Sequence, residues 1–313
     1  MSRPSHIGAV AQALLVTILW ASSWVLIKFG LRDIPALTFA GLRYTLAFII
    51  LLAVSLSGPH RAAFRRLPRE AWLRLAVLGL LLYSITQGAQ FLGLALLPAT
   101  TASLILSFTT VCVALLAIPL LGERPGWHGW MGVVMALAGA VTYFYPATLA
   151  PADWLGLLIV SSGMLSGALA AILGRGVARR DDLTPSQITT VSMGVGSLLL
   201  LGSGLAVESW PHLTLSGLVI IGWLALVNTA LAFTLWVNSQ RTLSAVESSI
   251  LNNLMLPEIA LLAWLFLGEH PAPRQWLGIG LVIGGTLVVQ LRRRPAAPQP
   301  MPAGASAVRQ QEG

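Results

Sequence analysis

The chain has 313 residues, 56% of them hydrophobic and only 10% charged, with a mean hydropathy of +0.80 and a net charge of +8. Soluble domains carry about 25% charged residues, so this composition excludes them and fits an integral membrane protein. A single cysteine, Cys112, excludes a disulfide framework and any Cys-based metal site.

A spanning helix needs about 20 apolar residues. Cutting the sequence at Pro, Gly and charge clusters gives ten such segments: 8–28, 34–56, 72–95, 99–121, 127–145, 153–174, 186–207, 214–237, 244–267 and 273–291. The expected fold class is therefore an all-α integral membrane protein. Segment 1 follows Arg3 and His6 and lacks a clear small-residue cleavage site, so it is expected to remain as a helix rather than leave as a signal peptide. Segment 4 closes on Leu121-Gly122-Glu123-Arg124-Pro125, and segment 9 closes on Leu267-Gly268-Glu269-His270-Pro271. At an offset of 146, residues 97–144 and 243–290 agree at 14 of 48 positions without a gap. Apolar composition alone matches Leu and Ala, but not a Gly-Glu-x-Pro in register. The chain reads as two copies of a five-helix unit, 1–146 and 147–292, followed by a Pro-, Ala- and Gln-rich tail, 293–313, expected to be disordered. Because five is odd, the second copy enters the bilayer upside down, the inverted-repeat plan of many secondary transporters.

Basic residues in the short loops set orientation. With the N-terminus cytoplasmic, fifteen basic residues lie inside, among them Arg61, Arg65, Arg66, Arg179, Arg180 and Arg292 to Arg294, against Lys28, Arg32 and Arg274 outside. Both termini are expected in the cytoplasm. The positive charge then reports topology and the lipid bilayer, with no nucleic-acid partner.

The residues at this point resemble a family. Leu19-Trp20-Ala21-Ser22-Ser23-Trp24 on segment 1, Gly41-Leu42-Arg43-Tyr44 on segment 2 and the Gly-Glu closing segments 4 and 9, taken with the repeat, resemble the EamA-type branch of the drug/metabolite transporter superfamily over residues 7–291. The resemblance implies ten transmembrane helices in two inverted EamA-like repeats and a multi-pass bacterial inner-membrane exporter of small metabolites, often amino acids. Within the superfamily the chain looks most like the aromatic amino-acid exporters.

A zwitterion at the bilayer midplane must exchange hydration for hydrogen bonds, while its side chain needs an apolar or aromatic wall. Trp20, Ser23 and Trp24 lie at i, i+3 and i+4 on one helix face. Tyr83 and Gln87 share a face of segment 3, Ser107 lies on a hydroxyl stripe of segment 4, and Ser166 is carried by segment 6. Segment 8 offers Asn228 and Trp236, and segment 9 offers Asn252 beside Asn253. These make up the candidate substrate-binding set. For each Ser the competing reading is a bond to its own helix carbonyl, and for each Trp an interface anchor. Pro257 lacks an N–H and is the candidate hinge. Its repeat equivalent is Val111, so the two halves are expected to bend unequally. Two intramembrane charges remain, Arg43 and Glu258, each about nine residues from the outer end of its helix and so ~13 Å deep. Arg43 reads as a structural anchor, a partner of Glu258 or a receptor for a substrate carboxylate, and Glu258 is the one credible coupling acid. Glu123 and Glu269 are expected to cap the starts of segments 5 and 10. Those two segments carry Gly129, Gly132, Gly139, Gly280, Gly284 and Gly285 for close backbone approach, read as packing within the chain with subunit contacts as the alternative, and a monomer is the expected state.

No phosphate loop, no His-Glu-x-x-His and no midplane His or Lys is present, so no enzyme activity, metal or cofactor is expected. The functional reading is a secondary transporter that exports small neutral metabolites, most of all aromatic and other medium or large neutral amino acids such as Met, by alternating access. The alternatives are an exporter of other small metabolites or drugs and a non-transporting partner or sensor built on the same scaffold.

Overall fold

Inside a bilayer every backbone N–H and C=O must be satisfied within the chain, which leaves helices for a sequence whose apolar runs reach membrane length. The computed structural model describes residues 5–57, 68–121, 126–145, 151–178, 183, 185–239, 242–243, 251–252 and 254–291, and every regular element among them is helical. In chain order these are α1 (His6–Gly30), α2 (Ala36–Ser57), α3 (Arg69–Gly79, Leu80–Thr86 and Gln87–Leu96), α4 (Ala99–Ser107 and Thr109–Leu121), α5 (Trp127–Phe144), α6 (Pro151–Ala178), α7 (Pro185–Val207), α8 (Leu215–Ala225, Leu226–Leu231 and Ala232–Ser239), α9 (Met255–Leu267) and α10 (Pro273–Leu291). Six helical stretches, lying in α1, α2, α3, α4, α6 and α7, are long and apolar enough to cross a membrane, while Leu215–Leu231 and Met255–Leu267 are shorter apolar helices. Glu123 and the tail lie outside the described residues.

The two halves interleave. Helix α1 packs on α8 and α9 of the second half, and α6, its counterpart, packs on α3 and α4 of the first. Helices α2 and α7 pair, and so do α5 and α10. The α5–α10 contact runs through glycine: a Cβ on Gly139 would stand 2.7 Å from the Gly278 carbonyl oxygen, and one on Gly285 would stand 2.5 Å from the Gly132 carbonyl oxygen. Gly41 meets the Leu201 backbone in the same way in the α2–α7 pair. The main core gathers Trp24, Phe39, Tyr44, Tyr83, Phe91, Leu200, Leu224 and Ile259 from both halves.

Irregular backbone recurs at repeat-related positions. Two π-helical turns open at Leu80 in α3 and at Leu226 in α8, the same 146-residue offset as the sequence repeat. Helix α4 breaks at Phe108 (φ −67°, ψ −9°), and α9 begins after the equivalent Leu254 (φ −66°, ψ −19°). Phe108 N–H donates to Ile105 O at 3.1 Å, and Leu254 N–H donates to Leu251 O at 3.0 Å. The expectation of unequal bending is therefore corrected: the discontinuity is shared, although Val111 stands at the equivalent of Pro257 and the proline of α4, Pro119, lies further along the helix. Pro257 sits in the first turn of Met255–Leu267, where a missing N–H leaves no intrahelical bond unmade. In α4 the break follows two hydroxyls that bond back along the helix, Ser103 to Thr100 O at 2.9 Å and Ser107 to Leu104 O at 2.6 Å, and precedes the β-branched Thr109, Thr110 and Val111. Back-bonding of this kind bends helices, and β-branched residues resist helix continuation.

A second correction concerns the Gly-Glu turn. Glu269 does not cap α10, whose lead-in N–H at Ala272 is taken by Gln275 Oε1 at 2.7 Å. Gly268, in the left-handed region at φ 70°, ends α9, and the Glu269 carboxylate that follows caps α4 instead. Its Oε1 accepts from Ala99 N–H at 2.6 Å, and its Oε2 accepts from Thr100 N–H at 3.0 Å and from the Thr100 hydroxyl at 2.7 Å. Glu208, after α7, does the same for α2, accepting from Leu37 N–H, Thr38 N–H and the Thr38 hydroxyl, each at 2.8 Å. A carboxylate on orphan N–H groups at a helix start is favoured by both hydrogen bonding and the helix dipole. Each clamp ties a helix of the first half to the second.

Candidate functional site

The polar residues of the bundle interior collect where α1, α2, α3 and α8 meet. Asn228, fully buried in the π turn of α8, donates through Nδ2 to the Leu19 carbonyl, to Ser22 Oγ at 3.2 Å and to Ser23 Oγ at 2.8 Å. Its Oδ1 is buried without a partner. The neighbouring Thr229 returns its hydroxyl to Leu224 O, five residues back, at 2.9 Å, and accepts from Arg43 Nη2 at 3.4 Å. Arg43 is buried with its Nε unpartnered, and its guanidinium lies 5.0 Å from the Tyr44 ring centre. Tyr44 donates its hydroxyl to Gln87 Oε1 at 2.7 Å and meets the Tyr83 ring at 5.6 Å. A cation over an aromatic face and a set of neutral hydrogen bonds thus share one apolar neighbourhood.

The π turn of α3 is held by hydroxyls. Thr86 Oγ1 donates to Leu81 O at 2.8 Å, again five residues back, and Ser166 of α6 donates to the same carbonyl at 2.8 Å. A π turn releases carbonyls from the regular ladder, and such turns recur at functional sites. Both turns here use a threonine at i+5 to satisfy the released oxygen.

Beside this cluster, Trp20 packs against Phe233 and Trp236 with ring centres 5.4 and 5.3 Å apart. One turn earlier on α1, Thr17 donates to Leu14 O at 2.9 Å and to Glu258 Oε1 at 3.1 Å, while Glu258 Oε2 is buried without a partner. Arg43 and Glu258 do not pair, since each has the separate threonine partner given above.

The structure therefore joins Ser23 with Asn228, Trp20 with Trp236, Ser166 with the Tyr83-bearing turn and Gln87 with Tyr44. Trp24 turns into the main core rather than towards the Trp20 cluster. Ser107 bonds its own helix, and Asn252 is exposed and joins none of these groups among the described residues. Asn253 lies outside the described residues. Sequence reasoning passed over Tyr44 and Thr229 as site residues and Glu208 as a cap. The Thr-Ala-Leu after Asn228 carries no breaker, and the Pro-Ala before Leu37 and before Thr100 marks two helix starts without naming the acid that reaches them. Among the described residues no group of three or more His, Cys, Asp and Glu side chains could hold a metal ion.

The EamA-like transporter family matches residues 7–145 and 154–291, one match per repeat. The chain is 26% identical over 296 residues to the uncharacterized inner membrane transporter YedA of Escherichia coli K12, with 90% of each chain covered. It is 24% identical to an S-adenosylmethionine/S-adenosylhomocysteine transporter of Chlamydia trachomatis, over 90% of this chain and 88% of that one. To a probable terminal-alkyne amino-acid exporter of Streptantibioticus cattleyicolor it is 27% identical, over 91% and 94%. A solved crystal structure shares the fold, with a TM-score of 0.65 and 21% identity over 93% of this chain and 99% of that one. Two matched repeats, membrane-length apolar helices and interleaved halves make the chain a member of the EamA-like transporter family, a multi-pass protein of the inner membrane.

Proposed function

We propose that the protein exports small neutral metabolites, amino acids above all, by alternating access of a central pathway to the two sides of the membrane. The observation that carries this reading is the recurrence of backbone discontinuities at repeat-related positions in α3, α4, α8 and α9, with a cluster of buried polar groups beside the turns of α3 and α8. Discontinuous helices supply exposed backbone groups and bending points at transporter sites. In this reading the chain crosses the membrane ten times with both termini cytoplasmic and works as a monomer. Asn228, Gln87 and the segment-1 serines exchange hydrogen bonds with the cargo, while Trp20, Trp236 and Tyr83 form the wall for its side chain. Neutral partners give weak binding and broad selectivity. Two of the relatives support the substrate class, because S-adenosylmethionine and a terminal-alkyne amino acid both carry an α-amino-carboxylate group.

The test is export of radiolabelled Phe, Met, Leu and Ala from proteoliposomes containing the native chain or Trp20→Ala. The native chain is expected to move Phe and Met faster than Ala, and Trp20→Ala to lower that ratio, because an aromatic face binds large apolar side chains at small entropic cost. Absence of amino-acid flux from well-folded native protein overturns the substrate class. An unchanged ratio removes Trp20 from the wall.

A further inference from the structure

At the end of α1 remote from the N-terminus lies a cavity of about 440 Å³, lined by Lys28, Arg32, Leu96, Leu97, Pro98, Leu267 and Glu269. It stands apart from the Asn228 cluster and takes its walls from both halves of the molecule. Lys28 is the only lysine of the chain and is half-buried, and Arg32 is exposed, its guanidinium 5.0 Å from the centre of the Phe29 ring. Neither cation has a carboxylate within 4.0 Å among the described residues. The nearby acid is committed elsewhere: Glu269 already accepts from two N–H groups and one hydroxyl at the start of α4. A carboxylate offers about four acceptor positions, so one remains on Glu269. The cavity thus presents two cations without an ion pair inside 4.0 Å among the described residues, a carboxylate with a single spare acceptor position and a wall of leucines and proline.

We infer that this cavity is a docking subsite for a carboxylate-bearing metabolite, in which Lys28 and Arg32 hold the carboxylate, the leucines hold an apolar side chain and Glu269 accepts from an ammonium. The inference deepens the export reading and rests on it for the direction of traffic: in that topology the subsite is the outer mouth, where cargo leaves or is recaptured. Lys28 is partly withdrawn from water, and the one carboxylate of the cavity, Glu269, is engaged at the start of α4, so an incoming anion adds a charge-assisted bond, about twice as strong as a neutral one. The same cations suit the phosphate of an anionic lipid, which is the competing source of the charge.

The test is equilibrium binding to the full chain in phosphatidylcholine nanodiscs, with 3-phenylpropionate, L-phenylalanine and phenethylamine as probes. The two carboxylates are expected to bind, and the double variant Lys28→Gln with Arg32→Gln to weaken them by at least about tenfold, the loss of one charge-assisted contact. Lys28→Arg retains the charge and is expected to retain binding, which separates loss of the subsite from loss of the fold. Phenethylamine, lacking the carboxylate, is expected to respond far less. Undiminished carboxylate binding in the double variant overturns the subsite, and so does displacement of 3-phenylpropionate when phosphatidylglycerol replaces part of the lipid. Flux is scored separately on proteoliposomes of the native chain. Carboxylate binding that depends on Lys28 without amino-acid flux overturns the export reading alone, and flux with unaltered binding in the double variant overturns the subsite alone.

Discussion

Asn228 ties α8 to three groups of α1. Truncating it removes a donor shared by the Leu19 carbonyl and two hydroxyls of α1, which stay satisfied because Ser22 and Ser23 also donate to Leu19 O, so the cost is that of lost hydrogen bonds, about 0.5–1.5 kcal/mol each. Asn228→Ala is expected to lower the thermal midpoint of the purified protein and to depress flux of every cargo alike, whereas a loss confined to large side chains would separate Asn228 from the common part of the site. Glu258 invites a different test. Gln in its place keeps an acceptor for Thr17 and removes the ionisable group. In an export driven by the cargo gradient, Glu258→Gln is expected to retain flux, and a transmembrane pH gradient to leave the native rate unchanged. Gradient-driven flux that disappears in Glu258→Gln would instead identify Glu258 as the proton carrier. The sequence places Thr17 on segment 1, but a contact across 241 residues is not legible there.

At the level of elements, the hydroxyls on the Leu81 carbonyl hold the α3 turn in its π form. Removing both, in Thr86→Val with Ser166→Ala, frees that oxygen in an apolar interior. Amide exchange over residues 81–87 is expected to quicken, with the rest of the bundle retaining its protection, as local opening of one segment requires. Unchanged exchange would show that packing alone fixes the turn. Most helix spans were legible to within about four residues because a membrane-length apolar run has one regular solution in lipid, whereas segment 9, expected over 244–267, has its described helix over Met255–Leu267. The breaks were not. A proline marked one of them and misled about the other, since Phe108 and Leu254 share a geometry that local propensity assigns to neither.

For the molecule as a whole, interleaving means that neither half has a closed surface of its own: α1 finds its neighbours in the second half and α6 in the first. The α5–α10 pair is a further place of close backbone approach. A side chain on Gly285 meets the Ala136 backbone N at 2.5 Å, and relieving such overpacking commonly costs about 1–3 kcal/mol. Gly285→Leu is expected to reduce the yield of folded, monodisperse protein, and the fraction that folds is expected to keep the native order of preference among Phe, Met, Leu and Ala. A changed order would draw α10 into the pathway.

The sequence by itself determined the membrane class, the helical content, the repeat and the family resemblance, because hydrophobic length and an in-register Gly-Glu-x-Pro are local or periodic signals that need no partner to be read. It also named several residues that the fold brings together, including Ser23 with Asn228 and Trp20 with Trp236, since a polar or aromatic group within an apolar span must find company in protein. Only the tertiary structure decided which company. That Glu269 serves α4 and not α10, that Glu208 serves α2, and that Arg43 rests on Thr229 while Glu258 rests on Thr17 all follow from how the two halves interdigitate. Each of those contacts joins positions far apart in the chain, and the choice among chemically equivalent partners is made by packing geometry, which no single stretch of sequence encodes.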